Sequence, residues 1–348
     1  MKIHQMLPNF WYGDAIGNTV VEFNRLLRSW GYESDIFADV VHPKLTARDY
    51  REYEKEPDGS WLIYHYSTGS PVNWYALEHG RNVILMYHNI TPAEFFDGYD
   101  REAAQRCQEG RELLGLFAGR VKFAMAGSAY NEDELKTLGF ARTAVVPYIL
   151  DFDRMTDSGN HYYNDGKTNI LFVGRVAPNK RHEDLITTFH HYKRHLDPDS
   201  RLIMVGGYDP NGLYYRSLKN LAAGLDLSDV IFTGPVADEA LGGYFAGASL
   251  FLCLSRHEGF CIPLLEAMKF GLPVVALKQT GVAYTMGNSG VTVDRFNPLE
   301  VAELMWEVKN DPALKTRVVE SQRERFEYFG RQKMTDNFKN TLMSVIGG

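Results

Sequence analysis

The densest chemistry in this sequence lies in Ser255-Arg256-His257-Glu258-Gly259-Phe260-Cys261-Ile262-Pro263, continued by Leu264-Leu265-Glu266-Ala267-Met268. Pro263 suits the first turn of a helix, where its missing N–H costs nothing, and Gly259 lets the backbone approach a ligand closely. The unpaired N–H groups of such a loop and first turn, together with the helix dipole, make a site for an anion such as a diphosphate. Glu258 stands before the turn and Glu266 inside it. Two carboxylates beside an anion site would repel phosphate, so they are read as acceptors for hydroxyls, with sugar and ribose hydroxyls the natural candidates. Singly, each has a plainer reading: Glu258 as a solvated loop residue, Glu266 as a first-turn acid favoured by the dipole. The whole string favours the ligand.

The elements that must position this string alternate between short apolar runs and longer amphipathic segments, the signature of βα units on a parallel sheet. Residues 3–7 read as a strand and 8–17 as a loop; Val20, Val21, Phe23, Leu26 and Leu27 then share a helical face until Gly31 stops it. Further strands are expected at 35–38, 61–66, 83–87, 123–126 and 144–146, with helix, in one piece or two, across 94–120. After a polar stretch, a second series expects strands at 169–173, 201–205, 230–233, 250–254, 273–276 and 291–293. The pattern predicts two doubly wound α/β domains, 1–152 and 169–330, joined by a linker at 153–168. The amphipathic helix at 331–348 is expected to complete the first domain. Two such domains would face a central cleft with the carboxyl ends of their strands, where open α/β sheets bind ligands.

At 348 residues, 45% hydrophobic and 23% charged, the chain can bury two sizeable cores. It has no run of about eighteen apolar residues, and its start, Met1-Lys2-Ile3-His4, lacks the apolar region of a signal peptide. The three cysteines, Cys107, Cys253 and Cys261, have no metal-ligand spacing and suit a reducing cytoplasm. A net charge of -7, from 37 basic and 44 acidic side chains, argues against a nucleic-acid partner. A local basic patch, and with it peripheral association with the inner face of a membrane, stays open. The first βα loop, residues 10–18, is glycine-bearing but carries neither G-x-G-x-x-G nor the Gly-Lys-Ser/Thr pair of an ATP site, which disfavours a dehydrogenase or an ATPase.

The segment Glu258-Gly-Phe-Cys-Ile-Pro-Leu-Leu-Glu266, with Ala267-Met268 and Gly271-Leu272-Pro273-Val274-Val275-Ala276 after it, resembles the Glu-x7-Glu signature of the family 4 retaining glycosyltransferases. The resemblance implies the GT-B fold of two Rossmann-like domains. It also implies that Glu258 and the backbone of Gly259, Phe260, Cys261 and Ile262 contact the donor sugar, and that Glu266 holds ribose hydroxyls. Phe172-Val173-Gly174-Arg175-Val176-Ala177-Pro178-Asn179-Lys180 is similar to the family's Gly-Arg…Pro-x-Lys segment. Arg175 and Lys180 at a strand's carboxyl end can neutralise a departing diphosphate. More weakly, Gly234 and Val236 in Phe232-Thr233-Gly234-Pro235-Val236 resemble the turn beside the base and donor. Cys261 is a departure, because the family commonly carries glycine there, and it leaves the sugar open.

In the first domain the resemblance brings Gly13 and Gly17 to the donor phosphate and suggests acceptor contacts for Trp11, Tyr12 and Asp14. His88, in Tyr87-His88-Asn89, is similar to the family's strand-end histidine near the reacting sugar, with His65 and Ser67 behind it. Asp151-Phe152-Asp153 matches the D-x-D of a different, metal-dependent glycosyltransferase fold, but here it is read as part of the hinge. The family implies retaining transfer of a hexose from a nucleotide-diphosphate sugar, UDP-glucose-type before GDP-mannose, to a hydroxyl of a glycan or glycolipid. It requires neither a metal nor a cofactor. The rivals are a sugar-nucleotide epimerase on a similar scaffold and an inactive nucleotide-sugar-binding subunit.

Overall fold

Apolar strands joined by amphipathic helices can bury both faces of a parallel sheet only if the helices cover both sides. The computed structural model, which describes every residue except Tyr12, Arg154, Asp157, Ser158, Asn160 and Gly348, does this twice. The chain divides into one unit of residues 1–97, 101–150 and 331–348, and a second of 98–100 and 151–330.

The first unit contains β1 (Ile3–Phe10), α1 (Ala15–Ser29), β2 (Ile36–Val41), β3 (Arg48–Asp49), β4 (Trp61–Tyr66), α2 (Pro71–His79), β5 (Val83–Tyr87), α3 (Arg101–Leu114), β6 (Phe123–Ala126), α4 (Ala129–Thr137) and β7 (Thr143–Val145). Among the described residues its seven parallel strands run β3-β2-β1-β4-β5-β6-β7. The order reverses between β1 and β4, so the loops leaving those two strands diverge and open a crevice at their carboxyl ends. α1 buries Val20, Phe23, Leu26 and Leu27 against the sheet. Val21, assigned to the same face from its spacing, is 47% exposed.

The second unit contains β8 (Thr168–Val173), α5 (His182–His195), β9 (Ser200–Val205), α6 (Leu213–Gly224), β10 (Val230–Gly234), α7 (Asp238–Ala246), β11 (Leu250–Cys253), α8 (Ile262–Lys269), β12 (Val274–Leu277), α9 (Thr280–Met286), β13 (Val291–Val293), α10 (Pro298–Asn310) and α11 (Pro312–Tyr328). Its six parallel strands among the described residues run β10-β9-β8-β11-β12-β13, reversing between β8 and β11. Ile170, Phe172, Leu185, Phe189, Leu202, Leu250 and Leu252 centre its core.

The last helix, α12 (Arg331–Ile346), belongs to the first unit. Its buried residues, Met334, Phe338, Leu342 and Val345, fall on one face. Phe338 stacks on Phe23 at 3.8 Å, and Arg331 pairs with Glu22 at 2.8 Å.

Three local expectations change. β1 continues through Pro8 to Phe10, where a loop was expected. Beyond Met6 it pairs with β2 alone, and such a one-sided edge tolerates a proline. The segment expected to be helical across 94–120 is α3 flanked by two 3-10 turns, Ala93–Phe96 and Gly115–Phe117. Residues 98–100 group with the second unit, where Tyr99 sits edge-on to Tyr214 at 5.1 Å.

Candidate functional site

In the second unit Lys180 and the string from Glu258 to Glu266 converge where the strand order reverses. The chain leaves β8 through Gly174 and Arg175 into a 3-10 turn, Pro178–Lys180, and leaves β11 through Leu254 to Cys261 into α8. Asn179 joins the two segments: its Nδ2 donates to the His257 carbonyl at 2.9 Å, and its own carbonyl accepts from the Arg256 N–H at 3.0 Å. This brings the Lys180 ammonium to 2.5 Å from Glu258 Oε1, with only 21% and 9% of the two side chains exposed. Burial opposes the charge on Lys180, but the Glu258 carboxylate outweighs it and holds the ammonium above its ordinary pKa.

The rear of this loop is braced by α9. The Glu258 carbonyl accepts from Gly281 N–H at 2.8 Å, and the Glu258 N–H donates to Thr280 Oγ1 at 3.0 Å. The Thr285 hydroxyl donates to the Phe260 carbonyl. A Cβ on Gly281 would overlap the backbone carbonyl of Gly259, so glycine is required for the two segments to meet. Cys261 caps α8 with φ 74°, in the left-handed region that glycine enters freely and other residues rarely do. Its Sγ lies 3.9 Å from that of Cys253. Ile262 and Pro263 open α8; Pro263 has no N–H and the Leu264 N–H donates to the Cys261 carbonyl at 3.2 Å, so it is the Ile262 N–H, with the helix dipole, that can meet an anion. Glu266 is buried and sits in the second turn of α8, a correction to the first-turn placement, because the helix starts at Ile262.

Arg175 is exposed and makes no ion pair among the described residues, so its guanidinium is available to an anion. Gly234 ends β10, its carbonyl accepting from Gly206 N–H at 3.1 Å, and Val236 follows half-buried. Neither is joined to the Lys180–Glu258 pair by a hydrogen bond.

In the first unit, Gly13 makes an exposed left-handed turn with φ 81°. Asp14 caps α1 and accepts from Gly17 N–H at 2.5 Å. A Cβ at Gly17 would strike the Trp11 carbonyl. Gly17, expected at the donor phosphate, packs against the Trp11 carbonyl and has its N–H engaged by the Asp14 cap. Trp11 is 48% exposed, its ring edge-on to His42, while Tyr12 lies outside the described residues.

His88 follows β5 and lies within a buried polar chain. Gln5 Oε1 is 2.9 Å from His65 Nε2, His65 Nδ1 is 2.8 Å from His88 Nε2, and His88 Nδ1 is 3.2 Å from the Tyr148 hydroxyl. Gln5 Nε2 donates to the Val20 carbonyl, which leaves its oxygen as the acceptor. For neutral rings, every tautomer then follows: His65 donates to Gln5, His88 Nε2–H donates to His65, and Tyr148 donates to His88. Burial pushes His88 down to about 3 and His65 well below its usual range, so both rings are neutral at pH 7. His88 therefore offers no imidazolium at neutral pH. The next residue, Asn89, has φ 76° and donates to Asn131 and Glu134, both at 3.0 Å, while Arg111 bridges Glu134 and the Ile90 carbonyl. Ser67, after β4, is half-buried.

Asp151 Oδ1 accepts the Asp153 N–H at 3.1 Å, closing a turn where the chain passes between units. No group of three or more His, Cys, Asp or Glu side chains among the described residues is placed to hold a metal ion, and no described helix is long and apolar enough to cross a membrane. Sequence reasoning missed Asn179, Thr280, Gly281, Gln5 and Tyr148. Asn179 lay inside a motif already singled out, and Thr280-Gly281 follow β12 at a strand's carboxyl end. Gln5 and Tyr148 left no local signal.

The family model for glycosyl transferases group 1 matches residues 153–332. A D-inositol 3-phosphate glycosyltransferase from Streptomyces bingchenggensis is 34% identical over 293 residues, covering 77% of this chain and 63% of the relative. The chain thus spans a little under two thirds of that relative's length. Among solved structures, sucrose-phosphate synthase from Thermosynechococcus elongatus superposes with a TM-score of 0.78 at 18% identity, covering 100% of both chains. Anabaena Alr3699/HepE in complex with UDP-glucose gives 0.74 at 18%, covering 99% of this chain and 100% of the other. These likenesses show the fold. The doubled sheet order, the loop from Glu258 to Glu266 and the match to the family model place this chain in the glycosyl transferases group 1 family, with the GT-B fold.

Proposed function

We propose that this chain transfers a hexosyl residue, with retention and without a metal, from a nucleoside-diphosphate sugar to an acceptor hydroxyl. The observation that carries the reading is the part-buried Lys180–Glu258 pair at 2.5 Å beside the start of α8. A cation held charged next to a helix N-terminus is suited to a diphosphate leaving group. Arg175, Lys180 and the Ile262 N–H at the start of α8 stabilise the departing diphosphate as the bond between the anomeric carbon and the phosphate oxygen breaks. The acceptor oxygen attacks from the same face, and its proton passes to the leaving phosphate oxygen. Glu266 receives the ribose hydroxyls, Glu258 with residues 259–262 meets the sugar, and Gly234 with Val236 borders the base. No protein nucleophile is assigned.

A UDP-hexose is the first choice of donor and GDP-mannose the second; the UDP-glucose complex of the similar Anabaena protein supports that order. For the acceptor, a glycan or glycolipid hydroxyl is one reading. The names of the relatives, which carry inositol 3-phosphate and sucrose phosphate, favour a second, a small phosphorylated polyol or sugar. Calorimetric titration with UDP and GDP separately decides the base, and product analysis with both acceptor classes decides the acceptor. In folded Glu266→Ala protein, transfer should fall at least a hundredfold; near-wild-type rates would sink the assignment. Conversion of the donor sugar without any acceptor would point instead to an epimerase.

A further inference from the structure

The proposed mechanism uses neither thiol of the second unit, yet two of the protein's three cysteines touch there. Cys253 closes β11, fully buried and paired with Ala276 of β12. Cys261 is the cap of α8, 8% exposed, and its Sγ is 3.9 Å from Cys253 Sγ. Ser255 Oγ stands 3.7 Å from the Cys253 sulfur. The seven residues between the two cysteines include Glu258 and Gly259, so this short loop carries both ends of the thiol contact and the partner of Lys180.

We infer that Cys253 and Cys261 form a redox-closing pair, joined in a disulfide by a peroxide-class oxidant, and that this bond weakens nucleotide binding at the start of α8. The second part rests on the proposed function. A disulfide requires the sulfurs to approach to about 2.05 Å, so roughly 2 Å must be closed from the thiol contact. Cys253 is fully buried at the end of β11 and paired with Ala276 of β12, so the displacement falls on Cys261, whose left-handed backbone is the joint between loop and helix. Turning that joint moves the amides of Gly259, Cys261 and Ile262, which the proposed function directs at the donor.

The thiol chemistry is suited to this. The hydrogen bond with Cys261 lowers the Cys253 thiol, and the same contact, with burial, raises that of Cys261, so Cys253 holds the thiolate share. A thiolate takes one oxygen of hydrogen peroxide to become a sulfenic acid, releasing hydroxide. The second sulfur then displaces the sulfenic hydroxyl. Overall, two thiols and one peroxide give one disulfide and two waters, and a dithiol reductant reverses it.

The test treats the full chain with hydrogen peroxide and maps its peptides by mass. The inference expects a link between the Cys253 and Cys261 peptides with a loss of about 2 Da, leaving Cys107, a half-buried residue of α3, outside the link. UDP affinity should fall at least tenfold and return with dithiothreitol. Cys253→Ala should bind UDP like the reduced wild type and ignore peroxide. Unlinked cysteines gaining one or two oxygens, or a linked chain with unchanged UDP affinity, would overturn the inference. Should the reduced chain bind neither UDP nor GDP, the proposed function fails on its own. Hydrogen exchange of residues 258–262 then decides the matter, with unchanged exchange after linkage counting against the pair.

Discussion

The two sheets of this protein repeat one strand order, yet the carboxyl ends of their strands are built from opposite chemistry. In the first unit, Gln5, His65, His88 and Tyr148 form a buried chain without net charge in which each ring nitrogen has a partner. In the second, an ammonium from the turn after β8 and a carboxylate from the loop after β11 face each other at 2.5 Å beside a helix start, and the latter loop carries a non-glycine residue at positive φ. A satisfied neutral network fixes backbone shape at modest cost. A buried ion pair is weak evidence for stability but presents charge where an anionic ligand needs it. Similar topology thus supports a shaping end and a charged end.

The sharpest way to break the contrast is Glu258→Ala, which strands the Lys180 ammonium. Loss of one partner from a buried pair costs about 3–5 kcal/mol, read as a lower urea midpoint. The double substitution Lys180→Met with Glu258→Leu should recover most of that stability and none of the transfer activity. A single-variant cost below about 1 kcal/mol would mean that the pair behaves as an exposed one. Next in size, Gly281→Ala forces a methyl into the Gly259 carbonyl, with an expected loss of about 1–3 kcal/mol and weaker nucleotide binding by calorimetry.

In the first unit, His65→Leu leaves Gln5 and His88 without their shared partner, at about 1–3 kcal/mol. The same variant tests the neutral chain through pH. The folded protein keeps His65 and His88 unprotonated below the ordinary histidine value, so the unfolded chain takes up protons first as pH falls. Stability should be level above about pH 6.5 and decline below it, by up to about 1.4 kcal/mol per pH unit for each such histidine, the window for His88 reaching down to about 3. His65→Leu should reduce that slope by one proton; an unchanged slope would show that His65 is not held neutral. The smallest effect on stability belongs to Arg175→Ala, within about 0.5 kcal/mol, because the side chain is exposed and makes no ion pair among the described residues. Its effect should appear in the transfer rate alone.

Much of the second unit's site could be read in advance because its parts are local. Glu258 to Glu266 is a contiguous strand–loop–helix string, and Arg175 with Lys180 ends a single strand. The positions depended only on hydrophobic period, a proline and a glycine. The first unit was harder. His88 could be placed at a strand end, but Gln5, His65 and Tyr148 lie on separate elements, and no sequence spacing relates them. Gly17 looked like a ligand-facing glycine, while the Trp11 carbonyl and the Asp14 cap explain it without a ligand.

The sequence by itself determined the alternation of strand and helix, the parallel sheets and the anion-suited start of α8, because these follow from short-range pattern and backbone chemistry. Only the tertiary structure decided that Lys180 meets Glu258, that Cys261 lies against Cys253, and that His88 is neutral with both nitrogens engaged. Ion pairing, thiol contact and pKa depend on distance and burial between residues from different strands. Those quantities exist only once strand order has brought distant segments together.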